Sequence, residues 1–167
     1  MHLIDVDIGY FDPNFRLDPP LRGARDRDAI VAGLADGTID IICSDHAPIG
    51  EDDKLLPFGE AEPGASALET LLPLTLKWAT ENKVPLVKAL AKITSGPAAI
   101  LGNGSAKGQL TVGAKADVVV FDASAPWLVS ADTLISSGKN TPFAGYELEG
   151  RARYTLVGGE VRHASNR

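Results

Sequence analysis

Apolar residues recur at helical spacing and then in a β-branched run in the first part of the chain. The helical spacing predicts a helix from about Asp26 to Asp36, which Gly37 is placed to end. Ile39–Cys43 follows directly, and a short β-branched run of this kind is typical of a strand buried on both faces. A helix, a tight turn and a buried strand make up the repeating unit of an α/β protein.

Residues 1–20, rich in Asp, Asn and Pro, are predicted to form a long ordered loop, and further helices are predicted after a second polar loop at residues 49–64. Ser66 and Glu69 have the spacing of a capping box, which would open a helix through about Glu81. Pro73 lies inside that helix and should kink it or move its start. Two shorter helices are expected beyond it, one that Pro85 opens and that ends near Ile93, and one from about Pro97 to Leu101.

The pattern becomes strand-like after Gly102, and glycines punctuate the chain. Strands are predicted at Val118–Phe121, Trp127–Val129 and Arg151–Val157, with Gly158-Gly159 as a two-residue hairpin turn into a last strand that begins at Glu160. We therefore predict two regions, an α/β region over residues 1–105 and a mostly β region over residues 106–167.

Composition and charge narrow the class of protein. The chain has 167 residues, of which 44% are hydrophobic and 23% charged, as in ordinary globular proteins. Its net charge of −6, with no basic run, argues against nucleic acid as a partner. Cys43 is the only cysteine, which excludes a disulfide framework and a cysteine-based zinc site. No long apolar run or leader-like start is visible, so we expect a cytoplasmic protein without a membrane span.

The candidate chemistry lies in Ser44–Pro48, at the end of the predicted buried strand. Functional side chains of α/β barrels lie where strands end and the following loops begin. A carboxylate there, such as Asp45, can bind a metal or move protons. The alternative is structural: Asp45 would cap the following turn and His46 would form a local hydrogen bond.

Four stretches together resemble the C-terminal half of dihydroorotases, in the cyclic amidohydrolase family. Ser44–Pro48 resembles the segment after the eighth barrel strand of dihydroorotases, hydantoinases and allantoinases. Three further stretches agree with the family in order: Asn14–Arg22, Gly108–Asp122 and Lys139–Gly145. The first and last of these are the more particular to the family, and the resemblance spans essentially the whole chain.

The resemblance implies a fold, a reaction and site residues. The fold would be the C-terminal part of a TIM-like (β/α)8 barrel of the metallo-dependent hydrolases, with strands of the accompanying β-sandwich domain. The reaction would interconvert carbamoyl aspartate and dihydroorotate in pyrimidine biosynthesis, with zinc activating water. Asp45 matches the family's aspartate that binds metal and shuttles the proton. Asp18, Pro63 and Gly64 match positions that contact the substrate.

The chain departs from the family at several positions. Asp18 stands where the family has Asn, which brings a negative charge toward a dicarboxylate substrate. Ile49 stands where the family has a substrate-binding His. The other metal ligands match no position here; His2 lies just past the last of them and is expected at a strand end, and His163 is expected in the final hairpin. We expect no tight zinc binding and no turnover by this chain alone.

Three interpretations remain open from the sequence. The chain could be part of an active dihydroorotase-like hydrolase that acts on a small cyclic amide. It could instead be a catalytically silent dihydroorotase-like subunit that assembles with aspartate transcarbamoylase and stabilises it. A small standalone α/β domain without catalysis is the third interpretation. An exposed barrel edge would be apolar and prone to associate, so a homo-oligomer is expected.

Overall fold

The computed structural model describes residues 1–104 and 107–165. The helices are α1 (Ala24–Asp36), α2 (Glu51–Lys54), α3 (Leu68–Glu81), α4 (Leu86–Ala91) and α5 (Ser95–Ile100), and the strands are β1 (Val118–Leu128), β2 (Glu147–Val157) and β3 (Glu160–Ala164). Two short 3-10 helices, Asp5–Ile8 and Pro13–Phe15, interrupt the loop predicted at residues 1–20. The predicted boundary at residues 105–106 lies outside the described residues, and the division into two domains stays a prediction.

The structure confirms the first predicted helix and corrects the start of α3. α1 ends at Gly37, which adopts the left-handed conformation with φ 92°. The capping box predicted for α3 is wrong: the residue at the helix N-cap is Ala67, and no side chain caps the helix from that position. Glu69 instead accepts hydrogen bonds from the amides of Ile135 and Ser136, 2.8 Å away in each case, so it binds a different part of the chain.

The prediction of a buried strand at Ile39–Cys43 is wrong. Residues 40–50 have no regular secondary structure, and Cys43 is exposed. A strand requires a hydrogen-bonded partner strand, and none pairs with this segment among the described residues. The segment is bound instead to α1 and to the end of α4. The Ile39 amide donates to the Gly33 carbonyl at 2.8 Å, the Ile42 amide donates to the Lys92 carbonyl at 2.9 Å, and the Lys92 ammonium donates to the Ile39 carbonyl.

The C-terminal region contains an antiparallel sheet with the strand order β1-β2-β3. The predicted runs Val118–Phe121 and Trp127–Val129 fall in one strand, β1, which ends one residue before Val129 and is bulged between Asp122 and Pro126. The predicted hairpin is confirmed, since Gly158 and Gly159 have φ of 61° and 85°, the conformation that a tight hairpin turn requires.

Helix α3 joins the two regions, because its residues belong to both hydrophobic clusters. Leu74 packs with Trp127, Val129, Leu134 and Leu148 of the C-terminal region. Trp78 and Ala79 pack with Leu34 of α1 and Ala89 of α4. The approach to β2 is close: a Cβ at Gly150 would lie 2.6 Å from a methyl group of Leu76. Helix α3 therefore fixes the C-terminal sheet relative to the loops that carry the candidate chemistry.

Candidate active site

The candidate residues share one cavity. Asp18, Asp45, Pro63 and Gly64 all line a cavity with a volume of about 450 Å³. Apolar side chains of α1, of α3 and of the segment Ile39–Cys43 form part of its wall. Cavities of this size with few polar groups are typical of sites for small molecules. Three loops that are distant in sequence thus bring the predicted residues together.

Asp45 presents an unpaired carboxylate at this cavity. The residue is exposed, has φ of 46°, and its side chain has no hydrogen-bond or salt-bridge partner among residues 1–104 and 107–165. Aspartate is one of the few residue types that adopt this backbone conformation readily. The structural alternative in which Asp45 caps the following turn is wrong, because its carboxylate accepts no backbone amide there. The group is free to exchange a proton or bind a ligand.

His46 is a helix cap and does not form the local bond considered above. Its Nδ1 accepts the amides of Ala67 at 3.0 Å and Leu68 at 3.3 Å, which are the first free amides of α3. Because amides can only donate, Nδ1 carries no proton, and the ring proton lies on Nε2, which donates to the Ser136 hydroxyl at 3.3 Å. Both ring nitrogens are therefore occupied, and His46 anchors the Asp45 loop to α3.

Both backbone polar groups of Gly64 form hydrogen bonds. Its amide donates to the Arg16 carbonyl at 3.0 Å, and its carbonyl accepts from the Asn140 side-chain amide at 2.9 Å. A Cβ at this position would lie 2.8 Å from the Ala47 carbonyl oxygen and 3.1 Å from a methyl group of Ile49. With φ of 146° as well, the position accepts only glycine without strain.

A buried lysine that the sequence did not single out connects α2 with the loop before Asp18. Lys54 is only 8% exposed, and its ammonium donates to the carbonyls of Pro13 at 3.0 Å and Arg16 at 3.3 Å. Burial, together with the nearby Arg16 guanidinium, lowers the pKa of Lys54. Arg16 extends the connection through its Nε, which donates to the Ala61 carbonyl at 2.7 Å. In the sequence, Lys54 follows three acidic residues and is typical of a solvated surface.

Asp18, Ile49 and His2 differ in how they lie relative to the cavity. Asp18 is exposed at the cavity, and its peptide bond to Pro19 is cis. Ile49 does not line the cavity; its amide donates to the Asn140 side chain at 2.9 Å. His2 does line the cavity, yet it lies in no strand: its buried ring donates from Nε2 to the Leu74 carbonyl at 2.8 Å, and burial lowers its pKa.

The residues present do not make a metal site. No group of three His, Cys, Asp or Glu side chains within the described part of the chain is placed to hold a metal ion. Zinc sites take three or four protein ligands, and Asp45 alone cannot supply them. His46 and His2 are each committed to backbone groups of α3 or its start. Asp45 could contribute one ligand at most to a site completed by other groups.

The chain is similar in sequence to a known family and to several known proteins. Residues 16–162 match the family described as "Amidohydrolase family". The dihydroorotase of Geobacter sp. (strain M21) is 45% identical over 159 residues, which cover 95% of this chain and 37% of that protein. A dihydroorotase-like protein of Pseudomonas putida is 43% identical over 161 residues, with 96% and 37% covered. The chain thus spans a little over a third of the length of these relatives.

Solved structures agree with the sequence relatives. An L-hydantoinase from Arthrobacter aurescens superposes with a TM-score of 0.88 at 29% identity and covers 97% of this chain and 37% of its own. A D-hydantoinase from Thermus sp. gives a TM-score of 0.82 at 27% identity, with 91% and 34% covered. The predicted fold class is confirmed: the chain has the C-terminal part of a TIM-like (β/α)8 barrel with strands of the accompanying β-sandwich. No helix among the described residues is long and apolar enough to cross a membrane.

Proposed function

This chain belongs to the amidohydrolase family, and we propose that it carries part of the active site of a dihydroorotase-like cyclic amidohydrolase. The substrate would be a six-membered cyclic amide of the dihydroorotate type, opened to a carbamoyl amino acid or closed from it, as in pyrimidine biosynthesis. Such metabolites are small and water-soluble, so we place the protein in the cytoplasm.

The convergence of Asp18, Asp45, Pro63 and Gly64 on one cavity is the observation that carries the proposal. The resemblance selected these residues one by one from separate stretches of sequence, without regard to their distance in space. A cavity of about 450 Å³ suits a single six-membered ring with its carboxylate.

Asp45 is the residue that we propose to move the proton. Hydrolysis of a cyclic amide adds water to the carbonyl carbon and breaks the C–N bond, so a proton passes from the water to the leaving nitrogen. An unpaired carboxylate at the cavity can accept the first proton and donate it to that nitrogen. Ring closure uses the same group in the opposite direction.

Gly64 can contact the substrate only as an acceptor. Its amide is already committed to the Arg16 carbonyl, whereas its own carbonyl keeps one lone pair beside the Asn140 bond. The Pro63 carbonyl is a second acceptor on the same loop. These two oxygens suit the N–H groups of a cyclic amide, and the closeness of Ala47 to Gly64 explains why no side chain can intervene.

Zinc is part of the proposal only because the resemblance to the family implies it. It would activate the attacking water, with Asp45 as one ligand, but the described residues do not fit a complete site. The other ligands would have to come from groups outside this chain. Asp45, Gly64 and Asp18 keep the same proposed roles toward the substrate in either case.

The test is an assay of the protein from its natural source. The protein is tagged at its own locus, purified under native conditions with whatever it holds, and assayed with dihydroorotate, carbamoyl aspartate and hydantoin. We expect turnover of at least one cyclic amide and its loss in Asp45→Asn. Purified protein that is folded and turns over none of these compounds would contradict the proposal.

A second candidate is the silent subunit that assembles with aspartate transcarbamoylase. Asp18 favours it, because a fixed negative charge at the cavity opposes a dicarboxylate. The apolar Ile49, packed toward Gly64, offers no polar group in place of the family's histidine. Co-purification of aspartate transcarbamoylase with the tagged protein, without cyclic-amide turnover, would favour this candidate over the first.

A further inference from the structure

We propose that Asn140 is a positioning residue that sets the spacing between the Asp45 loop and the Gly64 loop. The two loops are defined here as residues 44–49 and 63–66. Asn140 is 7% exposed and reaches them from the C-terminal region. Its role in positioning a substrate rests on the proposed function, whereas its hold on the two loops does not.

The Asn140 side chain bonds to both loops at once. Its Oδ1 accepts the Ile49 amide at 2.9 Å, and its Nδ2 donates to the Gly64 carbonyl at 2.9 Å. The orientation of the side-chain amide is fixed, because the Ile49 amide can only donate and the Gly64 carbonyl can only accept. Each half of the amide group therefore holds one loop.

The backbone around Asn140 strengthens the same junction. The Asn140 carbonyl accepts the Ser66 amide at 2.7 Å, and the Ser66 hydroxyl donates to the Gly138 carbonyl. Gly138 lies directly against the Asp45 loop, since a Cβ there would come 2.7 Å from Pro48 and 2.9 Å from the Ile49 amide nitrogen. The two loops also share one direct bond, from the Ala47 amide to the Ala65 carbonyl at 2.9 Å. Loss of the Asn140 side chain should therefore loosen the junction without opening it fully.

Asn140 contacts neither Asp45 nor the cavity, so it would act through the loops that it holds. Asp45 lies four positions before the amide that Oδ1 accepts, and Gly64 is itself the acceptor for Nδ2. The relative position of the proton-transfer group and the backbone acceptors for the substrate would then depend on one buried amide group.

Two substitutions at Asn140 test the two hydrogen bonds of its side-chain amide separately. Asn140→Ala removes both bonds. Asn140→Asp keeps an acceptor for the Ile49 amide but places a carboxylate oxygen against the Gly64 carbonyl, which it repels. Asn82→Ala is the matched control, because the Asn82 side chain also donates to a backbone carbonyl, that of Trp78 at 2.8 Å, at the far end of α3.

Hydrogen–deuterium exchange of the purified protein measures how readily the backbone of the two loops opens, and the measurement does not depend on activity. In Asn140→Ala, exchange in both loops should rise by up to about tenfold, the weight of one to two hydrogen bonds. In Asn140→Asp it should rise in residues 63–66 and stay near the parent rate in residues 44–49. Peptides of α1 should not change in either variant, nor should the two loops in Asn82→Ala.

Kinetics of the native protein then separate positioning from mere stability. Asn140→Asp should raise KM for the cyclic amide while kcat changes little, because the Gly64 loop moves and the Asp45 loop does not. Asn140→Ala should raise KM and lower kcat. Unchanged exchange in both loops, or an equal rise throughout the molecule, would overturn the proposal. Exchange that follows the predicted pattern in a protein without turnover would leave the hold on the loops standing and refute the proposed function instead.

Discussion

Gly64 and Ala47 lie so close together that a Cβ built at Gly64 would come 2.8 Å from the Ala47 carbonyl oxygen. The contact joins the loop that follows Asp45 to the loop that carries the backbone acceptors proposed for the substrate. The Ala47 amide and the Ala65 carbonyl pair directly beside it at 2.9 Å. The shape of the cavity therefore depends on a backbone-to-backbone approach that a single methyl group would prevent.

Replacing Gly64 by Ala should open this contact and destabilise the protein by about 2–4 kcal/mol, as the cost of overpacking adds to that of an unfavourable backbone conformation. Gly37→Ala is the matched control, because Gly37 also has a positive φ, of 92°, yet has no atom within 4 Å of the added Cβ. It should carry the conformational cost alone, about 1–2 kcal/mol. Urea unfolding measures the free energy of unfolding of both variants. Equal losses in Gly64→Ala and Gly37→Ala would contradict the close contact at Gly64.

Lys54 should contribute to stability by holding the carbonyls of Pro13 and Arg16. Lys54→Met keeps the length and apolar stem of the side chain but removes both bonds, so we expect a loss of about 1–3 kcal/mol in the free energy of unfolding. Lys77→Met is the control, since Lys77 forms an ion pair with Glu81 on the surface of α3 that should contribute less than about 1 kcal/mol. A loss no greater in Lys54→Met than in Lys77→Met would contradict this role.

The burial of His2 should make stability depend on pH. Burial lowers the pKa of His2 in the folded protein, although the bond to Leu74 and the nearby Glu81 oppose the shift. The unfolded chain then binds the proton more readily, so stability should fall as the pH drops below about 6.5 toward the folded pKa. His2→Gln, which can still donate to the Leu74 carbonyl, should flatten this dependence in urea titrations between pH 7.5 and pH 5.5. His163→Gln, in the final hairpin, is the control; a slope unchanged by His2→Gln would refute the assignment.

Removing the negative charge at Asp18 should improve binding of a dicarboxylate. Asp18→Asn leaves the shape of the side chain nearly unchanged and should lower KM for carbamoyl aspartate, the dicarboxylate of the pair, on the order of tenfold, the weight of one charged contact. Ile49→His should gain less, because Ile49 does not line the cavity and its side chain packs toward Gly64. A gain from Ile49→His as large as that from Asp18→Asn would mean that the loop rearranges when the substrate binds.

The sequence predicted the elements whose determinants are local. Gly37 ends α1 and Gly158-Gly159 turn the last hairpin because these positions need a positive φ, which glycine adopts without cost. The capping box at Ser66 and Glu69 failed because both side chains bind distant segments, residues 135–140, which compete with the local bonds. Likewise, the composition of Ile39–Cys43 fits a strand, but a strand depends on a partner that the local pattern cannot specify.

The sequence selected only some of the residues that form the candidate site. Resemblance selected Asp18, Asp45, Pro63 and Gly64, and all of them reach one cavity. Asn140, which bonds to both loops, and Lys54, which bonds to the carbonyls of Pro13 and Arg16, were not selected as site residues. Their contacts span 38 to 91 positions along the chain and leave no periodic signal in the sequence.

The most direct test of this account is the rate of cyclic-amide hydrolysis by the natively purified protein with Asp45→Asn. Asp40→Asn is the matched control, because Asp40 lies on the same segment but does not line the cavity. We predict that Asp45→Asn lowers kcat by about 10²-fold or more, as the loss of a general acid–base does, whereas Asp40→Asn changes it little. An active protein whose kcat is the same in Asp45→Asn as in Asp40→Asn would contradict the central role of this carboxylate.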